Sequence, residues 1–242
     1  MKLLTLVIAL FCTSPITWAQ NRSNFMAPGA PLFPDSPFQI HHVSNLGLGD
    51  TVITLINTNV RAAVAAPTQG TKPAQEDGQL CANFYAFSYD ATLISCCSCN
   101  VPASEMFTLS AKNDFASNTL SPTIPDSMVV KMAVTEGGSQ CKGNAASNVT
   151  GAAFLAQADR TVAAADPFQG RTGLVAWARN LRSGKSGPAE PGNGGIEFLV
   201  QSSVGQNEMD RISGMCAALR KSGSGYGICK SCKLGGISPS AK

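Results

Sequence analysis

Short apolar runs alternate with turn-rich polar stretches along most of the chain. Asp50 to Asn59 (DTVITLINTN) is dense in β-branched residues and ends in Asn-Thr-Asn, a pattern that predicts a strand running into a turn. From Leu80 to Val101 the signal is strongest. Cys81, Asn83, Tyr85, Phe87 and Tyr89 alternate with Leu80, Ala82, Phe84 and Ala86, so both faces carry apolar groups. A strand of that kind belongs inside a sandwich or between two layers. Asp90-Ala91 reads as a tight turn, with Thr92 to Val101 as the returning strand of a hairpin. Met106 to Ala111, Ser127 to Thr135, Thr172 to Leu181 and Gly195 to Ser202 are further strand candidates.

Helical spacing appears twice. In 207–221, Met209, Ile212, Cys216 and Leu219 share one face. Asn207 is placed as N-cap with Asp210 three residues on, and Arg220-Lys221 precede the stop at Gly223. Ala152 to Ala158 predicts a shorter helix capped by Thr150. Arg61 to Gln79 and Ser183 to Gly195 are loops by composition. Nothing repeats at a fixed period, which disfavours a solenoid or propeller. These signals together predict a mainly β protein: a disulfide-stabilised β-sandwich, Ig-like in general shape, with one C-terminal α-helix.

The ends add an export signal. Lys2, an apolar run from Leu3 to Cys12 and a small-x-small ending at Thr17-Trp18-Ala19 have the layout of a secretory signal peptide, 1–19. An apolar run of about ten residues falls short of the roughly 20 that a membrane span needs. Bulky Leu10-Phe11 before Cys12 argue against a lipoprotein. Residues 20–40, with four prolines and no apolar period, predict an extended leader ahead of a single domain over 41–242. The expected location is therefore secreted, periplasmic or at the cell surface.

The formal charge of the 242 residues is only +3, and 14% are charged. Basic residues gather loosely at Arg171 to Lys185 and Arg211 to Lys233 without the interleaved aromatics of a nucleic-acid surface, so no nucleic-acid partner is expected. Of the 9 cysteines, Cys12 leaves with the signal. The remaining eight, Cys81, Cys96, Cys97, Cys99, Cys141, Cys216, Cys229 and Cys232, are an even set in an exported chain, which predicts disulfides.

The stretch LISCCSCNVP places three cysteines in four residues of a predicted strand. Alternation sends Cys97 and Cys99 to one face and Cys96 to the other, so a single strand can be bonded on both sides. With a three-residue turn, Cys81 would lie opposite Cys99 and bridge to it. The alternative is metal: Cys96, Cys99, Cys229 and Cys232 form two C-x-x-C pairs of the kind a tetrahedral zinc site uses. Their wide separation, the cysteines left over and the oxidising destination favour staples. A thioredoxin-like pair needs a helix after its first cysteine, and none is predicted after Cys229. Haem attachment needs a histidine directly after the second cysteine, where Asn100 and Lys233 stand.

Other candidate chemistry is sparse. Gly184-Lys185-Ser186 lacks the leading glycine of a P-loop, and Gly223 to Gly227 follows a helix instead of a strand, so the first reads as a loop and the second as a helix stop. His41 and His42 are neighbours whose side chains leave a strand on opposite faces, which favours structural roles. The acids are dispersed. Glu105 and Asp114 are a glycosidase pair only in the sense that any two carboxylates are. Tyr85, Phe87 and Tyr89 form a stripe that reads as core first and as a sugar platform second, and Trp177 reads as packed inside the sandwich. The expected function is that of a secreted, non-catalytic binding or extracellular structural protein without cofactor, whose partner is a protein, a cell-surface carbohydrate or another copy of itself. The rival is an exported metal-handling or thiol-redox protein.

Overall fold

The computed structural model of the protein describes residues 35–59, 78–119, 123–137, 141, 145–160, 172–182, 196–224 and 226–229. The predicted signal peptide, nearly all of the predicted leader and of the predicted 61–79 loop, the predicted 183–195 loop and Cys232 lie outside the described residues. The strands are β1 (Phe38–Val43), β2 (Gly49–Asn57), β3 (Leu80–Ser88), β4 (Leu93–Val101), β5 (Met106–Ser110), β6 (Met128–Glu136), β7 (Leu174–Arg182), β8 (Ile196–Phe198) and β9 (Val200–Gln201). They form two antiparallel sheets: sheet one in the order β4-β3-β6-β1-β9, and sheet two in the order β5-β2-β7-β8. Helix α1 (Gly151–Arg160) and the C-terminal α2 (Gln206–Lys221) complete the regular structure, with a π-helical turn at Ala111–Ala116 and a 3₁₀ turn at Ala145–Ser147. The protein is a mainly β, disulfide-bonded two-sheet sandwich with one C-terminal helix.

The two-sided apolar pattern of the 80–101 hairpin has a direct cause. One face of sheet one, with Ala82, Phe84, Cys97, Cys99, Val130 and Met132, packs against Ile53, Leu55, Phe107, Leu109 and Leu174 of sheet two. The opposite face, with Phe38, Tyr85, Phe87, Leu93 and Cys96, packs under Phe154 of α1 and Met209, Ile212, Cys216 and Leu219 of α2. Sheet one is thus the middle of three layers, and eight of the nine residues of β3 are buried.

The helix face predicted for α2 is the one it buries. Its start differs: Gly205 is the N-cap and supplies no side-chain bond, so Asn207 lies inside the first turn. At α1 the predicted cap forms, with the Thr150 hydroxyl accepting from the Ala153 amide at 3.2 Å. Asp210 of α2 adds a second acceptor, taking a 2.7 Å bond from the Gly151 amide at the positive end of α1. The helices approach so closely there that a Cβ on Gly151 would come within 2.2 Å of the Gln206 carbonyl oxygen.

Three expectations are corrected. The segment that reads as leader up to residue 40 already contributes the start of β1, and Phe38 packs edge-on against Phe154 at 6.4 Å. Gln39, His41 and His42 break the apolar alternation that would have marked this strand. The single strand predicted over 195–202 divides at Leu199: β8 pairs with β7 in sheet two, whereas β9 pairs with β1 in sheet one. Leu199 is buried at the crossover, and its amide donates to the Ala176 carbonyl at 3.2 Å. Trp177 is half-buried on the outside of sheet two, because its neighbours Ala176 and Ala178 take the inward positions.

Candidate functional site

The cysteines act as staples wherever they are described. Cys97 faces sheet two and bonds to Cys229, while Cys96 faces the helices and bonds to Cys216. Alternation along β4 thus sends adjacent cysteines in opposite directions, as the sequence implies. Cys81 bonds to Cys141, not to Cys99. The correction follows from register: Cys81 stands opposite Asn100, and Cys99 stands opposite Ala82, so the two sulfurs leave the hairpin on opposite faces. An additional residue, Ile94, enters β4 where the register shifts between Ala86 and Phe87. Cys99 is also disulfide-bonded, to a residue outside those described.

Tethering Cys229 has a further effect. The chain at Gly227 and Ile228 forms a parallel bridge beside β4, and the Cys96 amide donates to the Gly227 carbonyl at 2.8 Å, so the outer edge of β4 is paired at Cys96. The alternative metal set is not assembled. Cys96 and Cys99 face opposite ways, each in a disulfide, and Cys229 is held by Cys97. Among the described residues no group of three or more His, Cys, Asp or Glu is placed to hold a metal ion.

A buried polar cluster lies at the other end of sheet one. Gln39 and Gln201 are directly opposite on β1 and β9, and His41 is two residues along on the same inward face. Gln39 reaches across the sandwich, its side-chain amide donating to the Ser36 carbonyl at 2.9 Å and the Leu174 carbonyl at 3.3 Å. Among the described residues, the Oε1 atoms of Gln39 and Gln201 and Nε2 of His41 are buried without a hydrogen-bond partner. Burial pushes the His41 imidazole below its ordinary pKa. The Glu197 carboxylate on β8 opposes that shift, and His42, exposed on the other face, adds to it.

The remaining candidates serve the fold. Tyr85 and Phe87 are core, and the Tyr85 hydroxyl donates to the Ala146 carbonyl at 2.8 Å, while Tyr89 at the hairpin tip is exposed. They do not form one surface stripe. Asp114 is buried and accepts from the Ser110 amide at 2.7 Å. Asp50 accepts from the Lys112 amide at 2.9 Å and from the Ser110 hydroxyl. Gly223, at φ +66°, ends α2 as expected.

The most unusual surface is the outer face of sheet two. Since Ile53, Leu55, Leu174, Ala176 and Ala178 point into the core, their strand neighbours point out. Register aligns Met106, Ile56 and Val175 in one row, Thr108, Thr54, Trp177 and Phe198 in the next, and Ser110, Val52, Arg179 and Ile196 in the third. Met106, Phe198 and Ile196 are 43%, 58% and 64% exposed. The solvent face of an antiparallel sheet is ordinarily polar. This one carries a cross-strand aromatic pair flanked by aliphatics, and it continues to Val200, 67% exposed, past the crossover. Sequence reading missed the patch because its residues come from four strands whose adjacency only the register fixes. The local signal was the alternation in VAWAR and IEFLV, where Trp177 and Phe198 have small or buried neighbours. Comparison with known protein families, curated proteins and solved structures finds no significant match.

Proposed function

We propose that this is a secreted, non-catalytic binding or surface protein whose working surface is the outer face of sheet two, and that the partner it engages there is a protein. The observation that carries the reading is the apolar patch of Met106, Ile56, Val175, Trp177, Phe198 and Ile196 on a sheet face, none of which belongs to either core. Contiguous exposed apolar surface of this kind marks an interaction site. A protein suits it better than a carbohydrate, because a sugar site surrounds its aromatics with convergent polar groups, whereas here Thr54, Thr108 and Arg179 are interspersed with Met106, Ile56, Val175 and Ile196. The disulfides support the reading by fixing a scaffold for life outside the cell, and the sequence supplies the export signal. A photo-activatable residue at position 198, compared with one at exposed Asn207 on α2, tests it in the secreted fraction of the source. An adduct with one protein, formed from 198 and not from 207, is the expected result. Equal labelling from both positions, or none from 198, would sink it.

A further inference from the structure

The crossover from β8 to β9 is held by few bonds. β8 pairs with β7 through Ile196, Glu197 and Phe198, and β9 pairs with β1 through Val200 and Gln201 alone. Each stands at the end of its sheet's strand order. Short edge elements of this kind open locally while the rest of a fold stays closed. Two amides report on the seam directly: Leu199 donates to the Ala176 carbonyl at 3.2 Å, and Ser202 donates to the Phe38 carbonyl at 3.1 Å.

His41 lies beside this crossover. Ile40 is paired with Val200, so one step further along the ladder sets His41 level with Leu199, where the chain passes between the sheets. The imidazole is buried on the inward face, and its Nε2 has no hydrogen-bond partner among the described residues. Gln39 and Gln201, on the same face, are uncharged. Glu197 of β8 is the acid at the seam, and it is exposed. His42 points to the opposite face, β6 places Val130 opposite His41, and the inward residues of β7 at this level are Ala176 and Ala178. Asp35, at the start of β7, has its carboxylate on the Gly173 amide at 3.1 Å. A proton on His41 thus puts a charge where one solvated carboxylate opposes the cost of burial, and burial outweighs it. Hydration relieves the charge, and the edge element beside the imidazole is the 196–201 run.

We propose that the 196–201 run is an acid-released clasp: when His41 takes up a proton, β8 and β9 leave their sheets together and carry Ile196 and Phe198 off the apolar face of sheet two. The consequence for a partner rests on the binding reading above, because Phe198 faces Trp177 across the ladder only while β8 is paired. The face is complete at neutral pH and dismantled in acid, so a partner held there is released on acidification.

Amide hydrogen exchange on the whole mature protein, corrected for the intrinsic pH dependence of exchange, tests the clasp without any partner. The Leu199 and Ser202 amides are expected to exchange faster than those of β3 at every pH. Their opening constant should rise about tenfold per pH unit as pH falls below about 6.5, because the open seam binds one proton that the closed seam refuses, and the rise should stop at the closed-state pKa. In His41→Gln the same two amides should still open locally, with no dependence on pH. Glu197→Gln, at an exposed position, removes the opposing carboxylate and should extend the rise to lower pH. Exchange of Leu199 and Ser202 at the rate of β3 would mean that no local opening exists and would overturn the proposal. A wild-type opening that is flat with pH, or that slows in acid, would overturn it equally. The photo-adduct from position 198 is then compared at about pH 7.5 and pH 5, values on either side of the ordinary histidine pKa. Loss of the adduct in acid supports release of the partner, and equal yield at both values from a seam that opens would sink it. No adduct at either pH, with the exchange result intact, would count against the binding reading alone.

Discussion

At the scale of single residues, buried groups that resist becoming charged shape the response to pH. His41 is held below its ordinary pKa of 6.5 chiefly by burial, so the folded protein binds its proton later than the unfolded chain does. As pH falls below about 6.5 the unfolded chain takes up a proton that the folded one refuses, and stability declines until the folded pKa is reached, then levels off. Thermal unfolding of wild type and His41→Gln between about pH 7.5 and pH 5 checks this. The wild type should lose more melting temperature on acidification than the variant, and parallel curves would refute the assignment. Tyr85 is shifted the other way, since burial pushes its phenol well up, and its hydroxyl remains a donor to the Ala146 carbonyl. Tyr85→Phe leaves that carbonyl short of a donor and should cost about 1 kcal/mol in denaturant unfolding. A change within error would mean that another group takes over the bond.

At the scale of elements, the helical layer is fastened to sheet one by Cys96–Cys216, which spans 120 residues of sequence. A second tie is the 2.7 Å ion pair between Lys131 of β6 and Glu208 of α2, with the ammonium 5.4 Å from the Phe87 ring. That pair is partly exposed, so screening leaves it worth little, and the disulfide carries most of the fastening. Cys96→Ala/Cys216→Ala should lower stability by about 2–4 kcal/mol. Amides of α2 should then exchange with solvent faster while those of β3 keep their protection, because β3 retains β4 and β6 on either side. Equal acceleration in both elements would show that the bond holds the whole sandwich and not its helical layer.

At the scale of the molecule, β4 is the point where the layers are joined, with Cys96 tied toward the helices and Cys97 toward the C-terminal segment. Cys99 is disulfide-bonded as well, and if the predicted signal peptide takes Cys12 away, Cys232, three residues beyond the partner of Cys97, is the cysteine left for it. Three residues of chain reach about 10 Å, enough to follow β4 from Cys97 to Cys99. Peptide mapping of the non-reduced protein should recover a Cys99–Cys232 peptide. Denatured, non-reduced protein should show no reactive thiol, and a chelator should leave the melting temperature unchanged. Thiols that appear only after chelation, together with bound zinc, would revive the metal alternative.

The pattern of apolar positions by itself determined that the chain is β-rich, that the 80–101 hairpin is covered on both faces, and which side of α2 is buried. These are local properties, since alternation and the 3.6-residue period are read within one element. It also determined that Cys96 and Cys97 leave β4 in opposite directions. Only the tertiary structure decided which cysteine meets which, because a disulfide needs two backbones brought to a fixed separation, and register had already turned Cys81 away from Cys99. The same holds for the run from Ile196 to Gln201, which reads as one strand and serves two sheets, and for Trp177, whose outward direction follows from Ala176 and Ala178 facing the core. The apolar face of sheet two belongs wholly to this second kind of fact, since residues from 52 to 198 become neighbours only when β5, β2, β7 and β8 are laid side by side.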